Sequence, residues 1–179
     1  MEELHNFIDM LREQRHDFMN NVQVIYGYLQ IDKKNEALRY IEKIAGENQN
    51  ISKLYALGDK NLAFLLEIEI KNLWKKGFLV EVDFEIESLS KEMFLNEYHK
   101  KSNIVNTIFK EMENSKFKFV YIYFFQDELG ESLLICNSEA CVNELDWMED
   151  WEKVEAELGD ITLHKYFNNE KKAYRLTFY

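Results

Sequence analysis

Leu4, Ile8, Leu11, Arg15, Phe18, Val22, Ile25 and Leu29 recur at alternating steps of four and three residues. That spacing is the a/d seam of a helix built to pack against other helices. The seam predicts one helix over residues 3–31, about 40 Å long at about 1.5 Å per residue, with Arg15 as its one polar member. The chain contains no proline, so long helices can run uninterrupted. A polar break, QIDKKN at 30–35, precedes a second periodic segment at 34–56, with Ala37, Ile41, Ile44, Ile51 and Tyr55 on one face. Gly46 is a weak point within it, and Gly58 is a plausible stop. Two helices with a short connection form an antiparallel hairpin. A lone hairpin buries only one side of each seam, and pairing with a second copy would complete a four-helix bundle. Residues 1–57 are therefore expected to form a homodimer.

The remainder, residues 58–179, changes character. Residues 60–76 read as a helix, FLVEVDFEIE (78–87) alternates like a half-buried strand, and about 90–114 reads as a helix. FKFVYIYFF (117–125) and ESLLICNS (131–138) flank a turn at Asp127–Gly130 and read as a hairpin. CVNELDWMEDWEKVEAELG (141–159) reads as a helix with Leu145, Trp147, Met148 and Trp151 near its buried side. ITLHKYF and KAYRLTFY close the chain as a second hairpin. The expected class is α+β: a helical hairpin that dimerises into a four-helix bundle, followed by a C-terminal α/β sandwich with one sheet covered by helices.

Composition removes several functions. A net charge of −11 disfavours broad nucleic-acid binding and docking on an anionic membrane. There is no run of about 18 apolar residues, and MEELHNFIDM does not read as a signal peptide, so a cytoplasmic protein is expected. Cys136 and Cys141, the only cysteines, match no metal or redox spacing and are read as free thiols. His5, His99 and His164 lie far apart and form no ligand set. The acidic run from Glu139 to Glu157 reads as a solvated helix face. FKFVYIYFF lacks the interleaved basic residues of a base-stacking platform and reads as a buried strand.

The stretch LREQRHDFMNN (11–21) does not fit the seam alone. With Arg15 at an a position, His16 falls at b, Asp17 at c and Asn20 at f, all facing water. Asn20, Gln23 and Gly27 lie four, seven and eleven positions beyond His16 and share its face. An exposed polar face needs no function. Gly27 argues against that bland reading, because an exposed glycine inside a helix costs about 1 kcal/mol relative to alanine. An imidazole on a rigid helix offers a neutral ring nitrogen near neutral pH, and that nitrogen can attack phosphorus and hold the group covalently. Asp17 could orient the ring or take its proton, and Asn20 could donate to phosphoryl oxygens or to a partner. Such chemistry is mostly positioning and charge stabilisation.

The stretch LREQRHDFMNNVQVIYGYLQIDKKNEALRYIEKI resembles the phospho-acceptor hairpin of sporulation initiation phosphotransferase B. It is also similar to hairpins of citrate-type and peptide-sensing sensor histidine kinases. The likeness runs through RHD, Asn20, Gln23, Gly27, Leu29–Gln30 and EALRYIEKI. It implies that His16 is phosphorylated, with Asp17 and Asn20 beside it. Partner contacts are expected at Arg12, Arg15, Gln23 and Gly27. The implied fold is a dimeric bundle with a C-terminal domain resembling a kinase ATP-binding domain. The implied partners are response-regulator receiver domains, which bring their own Mg²⁺.

A kinase ATP domain of that kind needs an Asn-rich helix, a DxGxG turn and a glycine-rich lid, because glycines let backbone approach the nucleotide. The six glycines here, Gly27, Gly46, Gly58, Gly77, Gly130 and Gly159, are scattered. KSNIVNTIFKEMEN (101–114) has Asn103 and Asn106, but Lys110 and Glu111 stand where an Asn-Ala pair is typical. CNSEACVNELDW (136–147) contains no glycine. The domain is read as unable to hold ATP, with no intrinsic cofactor or metal. The expected function is a phosphorelay phosphotransferase, in sporulation initiation by resemblance. Its rivals are a non-catalytic regulator of a sensor kinase or receiver, a receiver phosphatase, and a degenerate kinase with weak nucleotide binding.

Overall fold

Helix α1 runs over Glu2–Gln30 and α2 over Lys34–Ala56 without interruption at Gly46 in the computed structural model, which describes residues 2–138, 152–157 and 159–179. The reversal between them is a Schellman turn. Asp32 takes a left-handed φ of 57°, its N–H donates to Leu29 O, and the Lys33 N–H reaches back to Tyr28 O at 2.9 Å. The chain then forms α3 (Lys60–Lys75), β1 (Leu79–Phe84), α4 (Tyr98–Glu113), β2 (Phe119–Asp127), β3 (Gly130–Cys136), β4 (Glu152–Glu157), β5 (Ile161–Asn168) and β6 (Lys171–Phe178). This is the α+β class read from sequence: a helical hairpin followed by a mixed sheet with helices. Two compact units result, Met1–Asn50 and Ile51–Tyr179.

The second unit is built on one six-stranded sheet of order β1-β2-β3-β6-β5-β4. Among the described residues only β1 and β2 pair in parallel, joined by the α4 crossover, as a parallel pair requires. Alternation along β2 divides the sheet's two faces. Val120, Ile122 and Phe124 enter a core with the buried stripes of α3 and α4, including Leu66, Ile70, Leu73, Val105, Phe109 and Met112. Phe119, Tyr121 and Phe125 enter a smaller cluster with Leu134, Cys136 and Ala173. Leu54 and Leu57, near the end of α2, also belong to the larger core.

Gly58, at φ +98°, stops α2 as its sequence suggests. Asp59 then caps α3, accepting from Leu62 N at 3.0 Å and from Phe94 N at 2.7 Å. The second bond ties down the segment 85–97, which is where the helix expected from about residue 90 gives way to irregular chain. Leu89 N donates to Leu57 O, and the buried Lys101 ammonium donates to Met93 O and to Asp160 Oδ2 at 2.7 Å. These bonds compete with helical ones, and α4 starts only at Tyr98 after a left-handed Glu97.

The helix expected over 141–159 is corrected where the chain is described. Glu152–Glu157 is edge strand β4, paired antiparallel with β5 from Glu152↔Phe167 to Glu157↔Thr162. Its Glu, Lys and Ala favour helices locally, but an open sheet edge beside it offers a full hydrogen-bond ladder, and pairing overrides propensity. Leu145, Trp147, Met148 and Trp151 lie outside the described residues. Cys136 is disulfide-bonded rather than free. Motif spacing tests for metal and redox sites and says nothing about a structural bridge, which depends on where the fold places the chain. Cys141 also lies outside the described residues.

Glu111 on α4 gathers three donors from β5 and β6: Tyr174, Lys172 at 2.9 Å and Lys165 at 3.2 Å. Burial pushes its carboxyl up, but the hydrogen bonds from Tyr174, Lys172 and Lys165 outweigh it and hold the group at about 2. A free Glu titrates at about 4.3. The folded value lies below the unfolded one, so this stabilisation is complete above about pH 4.3 and is lost as pH falls towards about 2. Glu111→Gln is expected to cost about 1 kcal/mol at neutral pH, discounted for partial solvent exposure, and to flatten the acid loss of stability. Urea unfolding across a pH series measures both, and an unchanged acid slope would contradict the assignment.

Candidate functional site

The site is a face of α1, and the hairpin fixes how that face is presented. Ala37 is buried at 2% exposure. Tyr40 donates its hydroxyl hydrogen bond to Asn21 Oδ1 at 2.7 Å, and its ring meets Tyr28 at 6.5 Å. These contacts set the register of α2 against one flank of α1. Another flank stays open: Ile8, Leu11, Phe18, Val22 and Leu29 are exposed, Phe18 at 65%, and so is Ile41 of α2. Arg15 is exposed within this seam.

His16 projects from the opposite side. Its side chain is 73% exposed, and its ring is held at one nitrogen. The Asn20 amide nitrogen donates towards Nδ1 at 3.1 Å, one helical turn on, and Asp17 Oδ1 lies 3.8 Å from the same atom. The structure thus brings the three sequence-predicted chemical residues together on Nδ1. An asparagine can offer Nδ1 either its NH₂ or, after a half-turn of the amide, its carbonyl. In the second arrangement Nδ1 keeps the proton, and the Nε2 lone pair faces outward.

Arg12, Gln23 and Gly27 follow on the same face, with Arg12 and Gln23 exposed. A Cβ built on Gly27 would meet nothing within 4 Å. Packing among the described residues therefore gives no reason for glycine there. Sequence reasoning treated this face as wholly polar and missed Val24 and Ile31, both exposed. The heptad could have found them, since both share the c position of Asp17.

In the second unit, Asn103 is exposed on α4, and the Asn106 Oδ1 is buried without a hydrogen-bond partner among the described residues. His99 packs edge-on against Tyr98, and the buried His164 Nε2 lies 3.5 Å from Glu155 Oε1. Among the described residues no group of three His, Cys, Asp or Glu side chains could hold a metal ion, and no helix is long and apolar enough to cross a membrane.

Residues 1–57 match the family model of the sensor kinase SpoOB-type alpha-helical domain. The matched span contains both helices of the hairpin and every residue of the candidate face, and it gives that hairpin a phosphorelay or sensor-kinase setting. No curated protein matches the chain.

Because the space around Gly27 is open, Gly27→Ala is expected to stabilise α1 by about 1 kcal/mol. A rise in the urea midpoint at constant slope would verify this; a fall would mean that the site is filled.

Proposed function

Because residues 1–57 match the model of the SpoOB-type helical domain and His16 is exposed on α1, we propose that the chain is a histidine phosphotransferase of a phosphorelay. It accepts a phosphoryl group on His16 from the phosphoaspartate of one response-regulator receiver and passes it to another. The observation that carries this reading is the His16 ring, exposed yet engaged at Nδ1 by Asn20. The Nε2 lone pair forms the N–P bond while the P–O bond to the donor aspartate breaks, and the bonding pair returns to that carboxylate. Onward transfer reverses the roles: an acceptor carboxylate oxygen attacks phosphorus, and the N–P pair returns to Nε2. With its amide turned so that the carbonyl faces the ring, Asn20 would hold the Nδ1 proton through both steps. Charge on the phosphoryl oxygens would be neutralised by Mg²⁺ held by the receiver rather than by this chain.

A protein donor rather than ATP is favoured by the scattered glycines, no two of which lie within five residues of each other. The reading extends to a homodimer with one site per protomer, acting in the cytoplasm in a relay of the sporulation-initiation type. The dimer is supported by the open seam, whose exposed Phe18, Val22 and Leu29 have no cover within the hairpin. A second copy would bury them at about 25 cal/mol per Å². Val22→Glu is expected to convert a dimer into monomers in sedimentation velocity. A monomeric wild type would remove the bundle.

The decisive experiment is label transfer. Receiver domains phosphorylated on aspartate are mixed with the wild type or with His16→Ala. Acid-labile, alkali-stable label on the wild type alone is the expected result, followed by passage to a second receiver. Label from ATP alone would contradict the relay. Release of free phosphate without labelled protein would instead assign a receiver phosphatase that uses Asn20 to position water.

A further inference from the structure

Strand β1 is an edge of the sheet, and among the described residues no strand pairs with its outer side. The N–H groups of Leu79 and Glu85 point towards β2, donating to Lys118 O at 2.9 Å and to Phe124 O at 2.8 Å. Direction alternates along a strand, so Val80, Val82 and Phe84 turn their backbone N–H and C=O groups to the open side. The side chains of these three belong to the helix-side core. The other face of β1 carries Glu81 and Asp83, and Glu85 continues the row just beyond the strand; all three are exposed. Tyrosines of β2 hold two of them in place: Tyr121 donates to Asp83 Oδ2 at 3.1 Å, and Tyr123 donates to Glu85. Burial and the neighbouring carboxylates push both phenols up, Tyr123 to about 12, so the hydroxyls stay donors at neutral pH. Among the described residues no Lys, Arg or His forms an ion pair with Glu81, Asp83 or Glu85.

We propose that the open edge of β1 docks an extended basic segment of a partner protein, which adds to the sheet as a further strand and sets Lys or Arg side chains beside Glu81, Asp83 and Glu85. The backbone groups of Val80, Val82 and Phe84 supply the ladder, as when a peptide augments a sheet edge. Neighbouring strands lie about 4.8 Å apart, close enough for directly opposite side chains to meet. Residues at alternate positions of the incoming strand therefore face the carboxylate row, and the charge of that row selects a basic side chain at each. The tyrosine hydroxyls leave the other lone pairs of Asp83 and Glu85 free to accept from a cation. On the helix face Lys53 lies over the Phe84 ring at 5.7 Å, so basic side chains belong on the carboxylate face alone. Charges on an edge strand ordinarily discourage stray pairing. A row of one sign does so selectively. A second copy pairing β1 against β1 would set carboxylates opposite carboxylates, which is destabilising, whereas a basic strand is drawn to the same row. This docking site lies in the second unit and is independent of the phosphotransfer reading.

The test uses the full-length protein and a fluorescent peptide of about ten residues that alternates lysine with threonine, a residue suited to strands. Binding is followed by anisotropy, and hydrogen exchange at the β1 amides by NMR. The peptide is expected to bind and to slow exchange at Val80, Val82 and Phe84. The double variant Glu81→Gln, Asp83→Asn is expected to raise Kd at least tenfold. Both side chains are exposed and their amides still accept hydrogen bonds, so the urea midpoint should stay close to that of the wild type. A second probe works on the wild type alone: the same peptide, N-methylated at the residues whose N–H groups face β1, keeps its charge and loses its donors. It is expected to bind at least tenfold more weakly. Equal binding of the methylated peptide would reduce the effect to adsorption on an acidic protein and overturn the proposal, as would no binding of either peptide. Protection of the same amides without peptide, growing with protein concentration, would give the edge to a second copy and overturn it too.

Discussion

The a/d seam of α1 governs everything the N-terminal unit can do. A hairpin of two helices has too few neighbours to cover its apolar stripes, so α2 takes one flank of α1 and leaves another open. Tyr40 and Ala37 occupy the first flank; Phe18, Val22 and Leu29 show the second. Those two commitments fix the remaining side by elimination. His16, Asn20, Gln23 and Gly27 face outward because the helix has no other direction left for them. The site inherits the rigidity of a 29-residue helix instead of depending on a loop.

The second unit treats its ionisable groups differently. Arg175 is buried and forks onto Asp127 at 2.6 and 2.8 Å, with further bonds to Ser132 and Thr177 and the Phe125 ring beneath it. The Arg175 hydrogen bonds hold the Asp127 carboxyl below its usual range against the opposing effect of burial. Lys101 is spent on Met93 O and Asp160, and Asp59 on two backbone N–H groups. Such fully engaged charges stabilise a fold and are poor reagents, because any reaction must first break their bonds. His16, with one nitrogen engaged and most of its side chain in water, has the opposite character.

Legibility in the sequence followed the strength of the local signal. The two N-terminal helices were readable to within a residue or two, because eight seam positions repeat one period and the polar QIDKKN break sits where the Schellman turn forms. The triad His16, Asp17 and Asn20 was readable for the same reason, since helical spacing alone brings it together. The segments 85–97 and 152–157 were misread because their conformations are set from outside. Asp59, Lys101 and Leu57 hold the first, and the ladder to β5 holds the second. Glu152–Glu157 is EKVEAE, and no local rule converts that composition into a strand. The Cys136 bridge was missed on the same ground, because a disulfide is a fact of placement. Val24 and Ile31 sit at c positions, outside the a/d pattern, so the seam alone does not point to these exposed aliphatics.

The sparse surroundings of His16 bear on what a relay requires. An enzyme that bound the phosphoryl group tightly in its ground state would hold it and slow the next transfer. Here the immediate neighbours of the ring are one amide and one carboxylate, and the carboxylate lies 3.8 Å from Nδ1. Neither supplies positive charge to an anionic phosphoryl group, and a carboxylate repels it. Positive charge on this face comes from Arg12, one turn before His16, and a receiver's own metal ion would add to it. In the proposed relay, division of labour follows from this. The helix would contribute position and a nucleophile, and each receiver most of the electrostatics.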